Sequence, residues 1–192
     1  MAKTYSPLTK AFSTYFKQAI KKNDVFNIAA DGDGYVYFVN GAIAGRIHKS
    51  YYPEILQPLT LREIPADGST ICVSGIRSSM EAESIFSVVK KNIEAATELA
   101  QNTGFKIKIP NLSGYANIIR IKSQVYTAAA INEKFFDMID LEYNWTLHGY
   151  SNKLPVVASL PDQMDIIICP LNLGKEKSEM VDAIAGLGVF NP

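Results

Sequence analysis

Cysteine is nearly absent from this chain. Two thiols, Cys72 and Cys169, stand far apart among 192 residues, neither in a C-x-x-C pair nor beside a histidine. That excludes a disulfide scaffold and gives no thiolate metal cluster. Histidine is as sparse: His48 and His148 lack metal spacing, and no third ligand stands near either. A dominant charge of one sign is missing as well. Lys plus Arg number 19 and Asp plus Glu number 19, a formal net charge of zero. No global field draws such a chain onto nucleic acid or an anionic membrane, although a local basic face is compatible with neutrality. No apolar run approaches the roughly 20 residues that cross a bilayer. The first residues, Met-Ala-Lys-Thr-Tyr-Ser-Pro, have no apolar centre of the signal-peptide kind. These absences point to a cytoplasmic protein with no metal, no cofactor and no membrane partner.

What is present is the composition of a packed domain, with 47% hydrophobic and 20% charged residues. Leu8, Phe12, Tyr15, Phe16, Ala19 and Ile20 recur at steps of three and four. That spacing predicts an amphipathic helix over Pro7–Lys22, with Ser6 as N-cap and Pro7 in the first turn. Val25–Ala30, Tyr35–Val39 and Ala42–Ile47 read as strands, joined by Asp31-Gly32-Asp33-Gly34 and Asn40-Gly41. Both joints are hairpin signals, because tight turns need positive φ.

The second half is read in the same way. Met80–Gln101 carries the longest helical pattern, with Ile85, Val88, Val89, Ile93, Ala96 and Leu99 on its apolar face. Phe105–Ile109 and Ile119–Lys122 alternate as half-exposed strands do, and Gln124–Ala130 is a third strand. Asn132 caps a short helix over Glu133–Leu141. Strands are expected over 144–148, 154–160 and 165–169. The fold class is α+β: a mainly antiparallel sheet with helices on one face, its pattern suggesting two pseudo-repeated halves of one helix and three strands. Residues 1–174 form one domain, and 175–192 are a C-terminal tail or a short helix.

Familiar catalytic patterns are missing. Asp31-x-Asp33-Gly34 lacks the other ligands of a calcium loop, with Ala29 and Asn40 where ligands would stand. Gly41-Ala-Ile-Ala-Gly45 has no following Lys-Ser/Thr and opens no helix, so it is no phosphate loop. Tyr35 and Tyr37 share a strand face without interleaved Arg or Lys, which favours packing over base stacking.

One segment does carry a lead. Asn132 opens a helix containing Phe135-Phe136-Asp137-Met138-Ile139. Pro155-Val156-Val157 follows, and then Ile166-Ile167-Ile168-Cys169-Pro170-Leu171-Asn172-Leu173. This order resembles the closing half of a domain of the bacterial sliding clamp, the processivity ring of replicative DNA polymerase. Ala29-Ala30-Asp31-Gly32 resembles that family's early turn. The resemblance implies a clamp-like fold, no enzyme activity, a homo-oligomer, and two surfaces. An apolar peptide-binding site for linear motifs of partner proteins would include Ile167, Cys169 and Pro170. A surface holding double-stranded DNA would use Lys17, Lys21, Lys22, Lys90 and Lys91, all on expected helices. The alternative is a small-ligand or protein-interaction domain without DNA binding.

Overall fold

The computed structural model describes residues 7–73, 80–109, 114–122, 127–140 and 142–187. The fold is α+β, built on one ten-stranded antiparallel sheet. Its strands are β1 (Asn27–Ala30), β2 (Tyr35–Asn40), β3 (Ile43–His48), β4 (Thr70–Cys72), β5 (Glu98–Lys108), β6 (Tyr115–Ile121), β7 (Thr127–Asn132), β8 (Thr146–Gly149), β9 (Val156–Leu160) and β10 (Met164–Ile168). Their order across the sheet is β4-β1-β2-β3-β10-β9-β8-β5-β6-β7. The helices are α1 (Lys10–Lys21), α2 (Tyr52–Ile55), α3 (Gln57–Thr60), α4 (Ala82–Ala95), α5 (Glu133–Phe136) and α6 (Lys175–Leu187).

The sheet has an inner and an outer face, and alternation along each strand decides which residue meets which. Ile28, Val36, Phe38, Ile119, Ile121, Ala158 and Ile166 point inward and join α1, α2, α3 and α5 in the largest core cluster. Ala29, Tyr37, Val157 and Ile167 point outward and meet α4. Ala116, Ile118, Ala128 and Ala130 also point outward, and these meet α6. Helices therefore cover both faces, not one as the sequence reading expected. The reason is that strands β1, β7, β9 and β10 are apolar at consecutive positions, so both of their faces need cover.

Aromatic packing sets the inner layer. Phe12 and Phe16 of α1 are fully buried, with ring centroids 6.0 and 5.8 Å from Phe38 of β2. Each such ring contributes about 1.5–3 kcal/mol by burial. Gly45 makes room for this layer. A Cβ there would fall 2.3 Å from the Asp165 carbonyl oxygen and 2.9 Å from the Phe38 ring. On the same helix, Tyr15 stands edge-on to Phe135 of α5, at 5.4 Å. Thus α1 touches elements belonging to distant parts of the sheet.

That contact requires a curled sheet, and a second observation measures the curl. Leu171, three residues beyond the end of β10, donates its N–H to the Ala130 carbonyl of β7 at 2.9 Å. Five strand-to-strand steps lie between β10 and β7. In a flat sheet they would span about 24 Å. Three residues reach at most about 10 Å. The strands from β10 to β7 consequently bend round toward a closed barrel.

Several boundaries differ from the sequence reading. The first helix begins at Lys10 with Thr9 as N-cap, its Oγ1 accepting from Ala11 N at 3.2 Å. Ser6 lies outside the described residues. Residues 7–9 instead join the segment after α5: Asp140 N donates to Pro7 O, and Thr9 N to Met138 O. The long middle helix stops at Ala95, and its expected last turn is the start of β5. Glu98-Leu99-Ala100-Gln101 are good helix formers, but pairing with both β6 and β8 outweighs that preference. The helix after Asn132 ends at Phe136. Parts of two expected features, 111–113 of a turn and 124–126 of a strand, lie outside the described residues. Helix α1 precedes the meander β1-β2-β3, α5 precedes the meander β8-β9-β10, and the two meanders meet where β3 pairs with β10.

Candidate functional site

A cavity of about 790 Å³ lies between α6 and the outer face of β7. It begins with the exit from β10. Gly174 adopts φ 71°, a conformation that glycine takes without strain, and this turns the chain into α6. Helix α6 is then fixed at two points. Asp182 Oδ1 accepts from Ala128 N at 2.9 Å, satisfying a donor on the free edge of β7. Asn152, in the β8–β9 loop, donates to Ser178 Oγ at 3.0 Å. Val181 is buried against the sheet.

The space exists because β7 presents small side chains there. Ala128 and Ala130 are the outward residues of the strand, and alanine cannot fill the gap under a helix to normal interior density. The floor is apolar, with Leu171, Leu173 and Val181 beside the two alanines, while Asn152, Lys153, Lys175 and Glu179 stand among its polar lining. Such a surface can bury a few apolar side chains and meet polar atoms at its edge.

The sequence-derived peptide-site residues divide around this groove. Pro170 lines it. Ile167 is buried beneath α4 with Val157 and Ala44, and Cys169 is exposed. Along this stretch of chain the lining runs over 170–175, which includes Pro170 and neither Ile167 nor Cys169. The sequence reading also missed Ala128, Ala130 and Val181. The available signal was Ala128-Ala129-Ala130, a run of small residues just before Ile131 in β7.

The lysines expected to hold DNA are not brought together. Lys17 and Lys21 are exposed on α1 and Lys22 at its C-cap, and this helix packs against the inner face. Lys90 and Lys91 belong to α4, which packs against the outer face. Lys90 is also engaged. Its Nζ lies 2.7 Å from Asp31 Oδ2 and 3.4 Å from Asp33 Oδ2. The hydrogen bond from Lys90 holds the Asp31 carboxyl below its usual range, and the same bond raises the lysine. Tyr37 donates its hydroxyl to Asp33. Burial, reinforced by that carboxylate, pushes Tyr37 up to about 12. The turn that bears a formal likeness to a calcium loop thus closes a hairpin, with Asp31 Oδ1 accepting from Gly32 N at 2.8 Å, and grips the ammonium of α4. Next to it, Arg46 Nε lies 2.6 Å from Asp165 Oδ2 and its guanidinium 4.5 Å over the Tyr35 ring.

Neither histidine belongs to the groove. His48 Nδ1 lies 2.8 Å from Ser50 Oγ. His148 lines a smaller cavity of about 200 Å³ with Ile93 and Ser159. Among the described residues no group of three or more His, Cys, Asp or Glu side chains is placed to hold a metal ion. No described helix is long and apolar enough to cross a membrane.

Compared with family models, with curated proteins and with solved structures, the chain has no match in any of the three.

Proposed function

We propose that this protein is a non-enzymatic binding module of clamp-like build that takes linear apolar peptides in the groove between α6 and β7. The observation that carries the reading is the cavity itself, about 790 Å³ with an apolar floor, at the end of β10. The clamp resemblance put a peptide site on that segment, and Pro170 belongs to both. A groove of this kind anchors a peptide through a few buried side chains, with strand and helix as rigid walls. The two helix-and-meander sets that meet at β3 and β10 support the clamp-like build. Duplex DNA is left out of the proposal, because phosphate contacts need lysines on one surface and α1 and α4 lie on opposite faces.

The volume also suits a small apolar ligand, which is the second reading. One titration separates the two. Amide shifts of the nitrogen-15-labelled protein are followed while acetylated pentapeptides carrying Leu and Phe are added, and separately indole. Saturable shifts at Ala128, Ala130 and Leu171 with a peptide, lost in Ala130→Trp, are the expected result. Saturation by indole alone would favour the small ligand. An unresponsive groove would overturn both readings.

A further inference from the structure

We infer that the groove is occupied by the C-terminal segment of a second copy of this chain, with Val189 and Phe190 as the side chains that enter it. This rests on the reading of the groove as a peptide site. Beyond Leu187, the last residue of α6, the sequence runs Gly188-Val189-Phe190-Asn191-Pro192. That places two large apolar residues next to each other, directly after a glycine, on a segment outside the described residues. The groove floor is the complementary surface: Ala128 and Ala130 leave room, and Leu171, Leu173 and Val181 supply apolar contact.

Chain reach separates a neighbour's tail from the protein's own. Val181 is the α6 residue buried in the apolar floor, and α6 continues for six residues beyond it to Leu187. At about 1.5 Å per residue that carries the chain about 9 Å past Val181. Only two residues separate Leu187 from Phe190, and reversing direction uses a turn of about four. Entry of the chain's own Phe190 would need a reversal within fewer residues than such a turn uses. A tail from another copy enters without reversal. The contact is heterologous, tail to groove, so a bound pair still presents one free groove on one copy and one free tail on the other.

The test is self-association of the full chain by sedimentation velocity over a range of concentrations. Wild type is expected to form assemblies that grow with concentration. Phe190→Asp, altered in the tail, and Ala130→Trp, altered in the groove, are each expected to weaken association by at least about tenfold, the effect of losing one buried anchor. Leu173→Glu repeats the groove arm at a partly exposed position, in case Ala130→Trp does not fold. An equimolar mixture of tail and groove variants retains one intact tail and one intact groove, and is expected to give a dimer and nothing larger. A synthetic peptide of residues 183–192 is expected to dissolve the wild-type assemblies and to shift Ala128 and Ala130. A monomeric wild type, a mixture that stays monomeric, or association unaffected by either variant would overturn the inference. If other apolar pentapeptides still shift Ala128 and Ala130, the groove reading survives that result. If none does, both fall.

Discussion

Helices α4 and α6 pack on the same outer face of one sheet, and they are seated in different ways. Helix α4 lays Ile85, Phe86 and Val89 into the sheet, Phe86 with its ring 4.9 Å from Tyr37, and its Lys90 is held by Asp31 and Asp33. Helix α6 rests on Val181 and on two hydrogen bonds, from Ala128 to Asp182 and from Asn152 to Ser178, above a space of about 790 Å³. The difference begins in the strands beneath. Under α4 the sheet offers Tyr37, Val157 and Ile167, and under the α6 groove it offers Ala128 and Ala130. Large residues close a helix–sheet contact, and small ones leave it open to a guest. The closed seat is structural, and the open seat is where binding is proposed.

Emptying the closed seat tests the contrast hardest. Phe86→Ala is expected to cost about 3–5 kcal/mol by denaturant unfolding. Val181→Ala, which borders existing space, should cost clearly less. Equal losses would show that the two seats do not differ. Next in size is Arg46→Met, which leaves the Asp165 carboxylate, with an 11% exposed side chain, without its partner. The expected loss is about 2–3 kcal/mol, below the full value for a buried pair because Arg46 is partly exposed. A midpoint within error of wild type would show that the ion pair does not hold β3 to β10.

Filling the open seat should have the opposite sign. Ala130→Leu is expected to stabilise by about 1 kcal/mol as a cavity-filling change, and to abolish peptide-induced shifts at Ala128. Stabilisation with binding intact would move the binding surface elsewhere.

The smallest effect concerns pH. Asp31 has a lowered folded-state pKa, so its contribution is present above the unfolded carboxyl value of about 3.9 and is lost as pH falls through the folded value. The pair is partly exposed, and its worth is at most about 1 kcal/mol. Wild type and Asp31→Asn should therefore differ in unfolding midpoint at pH 6 and converge in acid below the carboxyl range. A difference that persists unchanged in acid would mean that Asp31 acts through its turn hydrogen bonds and not through Lys90.

Much of the local structure was legible before any coordinates. The apolar stripe Phe12, Phe16 and Ala19 forms α1, and the turns at Asp31–Gly34 and Asn40-Gly41 join β1, β2 and β3. Asn132 caps α5, accepting from Lys134 N at 3.1 Å. Strand β10 covers the expected apolar run. The candidate site was legible only as an address. Pro170 lies in the groove, while Ile167, an equally apolar neighbour on the strand, lies under α4.

The amino-acid sequence by itself determined most of the elements, because period, cap and turn residues act over a few positions along the chain. Tertiary structure alone decided three things. It converted helix-forming residues 98–101 into β5 by pairing them on two sides. It split the lysines of α1 and α4 between opposite faces of the sheet. It curled β7 back to Leu171, so that two alanines and the exit from β10 enclose a groove. Each depends on which strands become neighbours, and that is fixed by long-range pairing and by the twist of the whole sheet, to which alternation within one strand is blind.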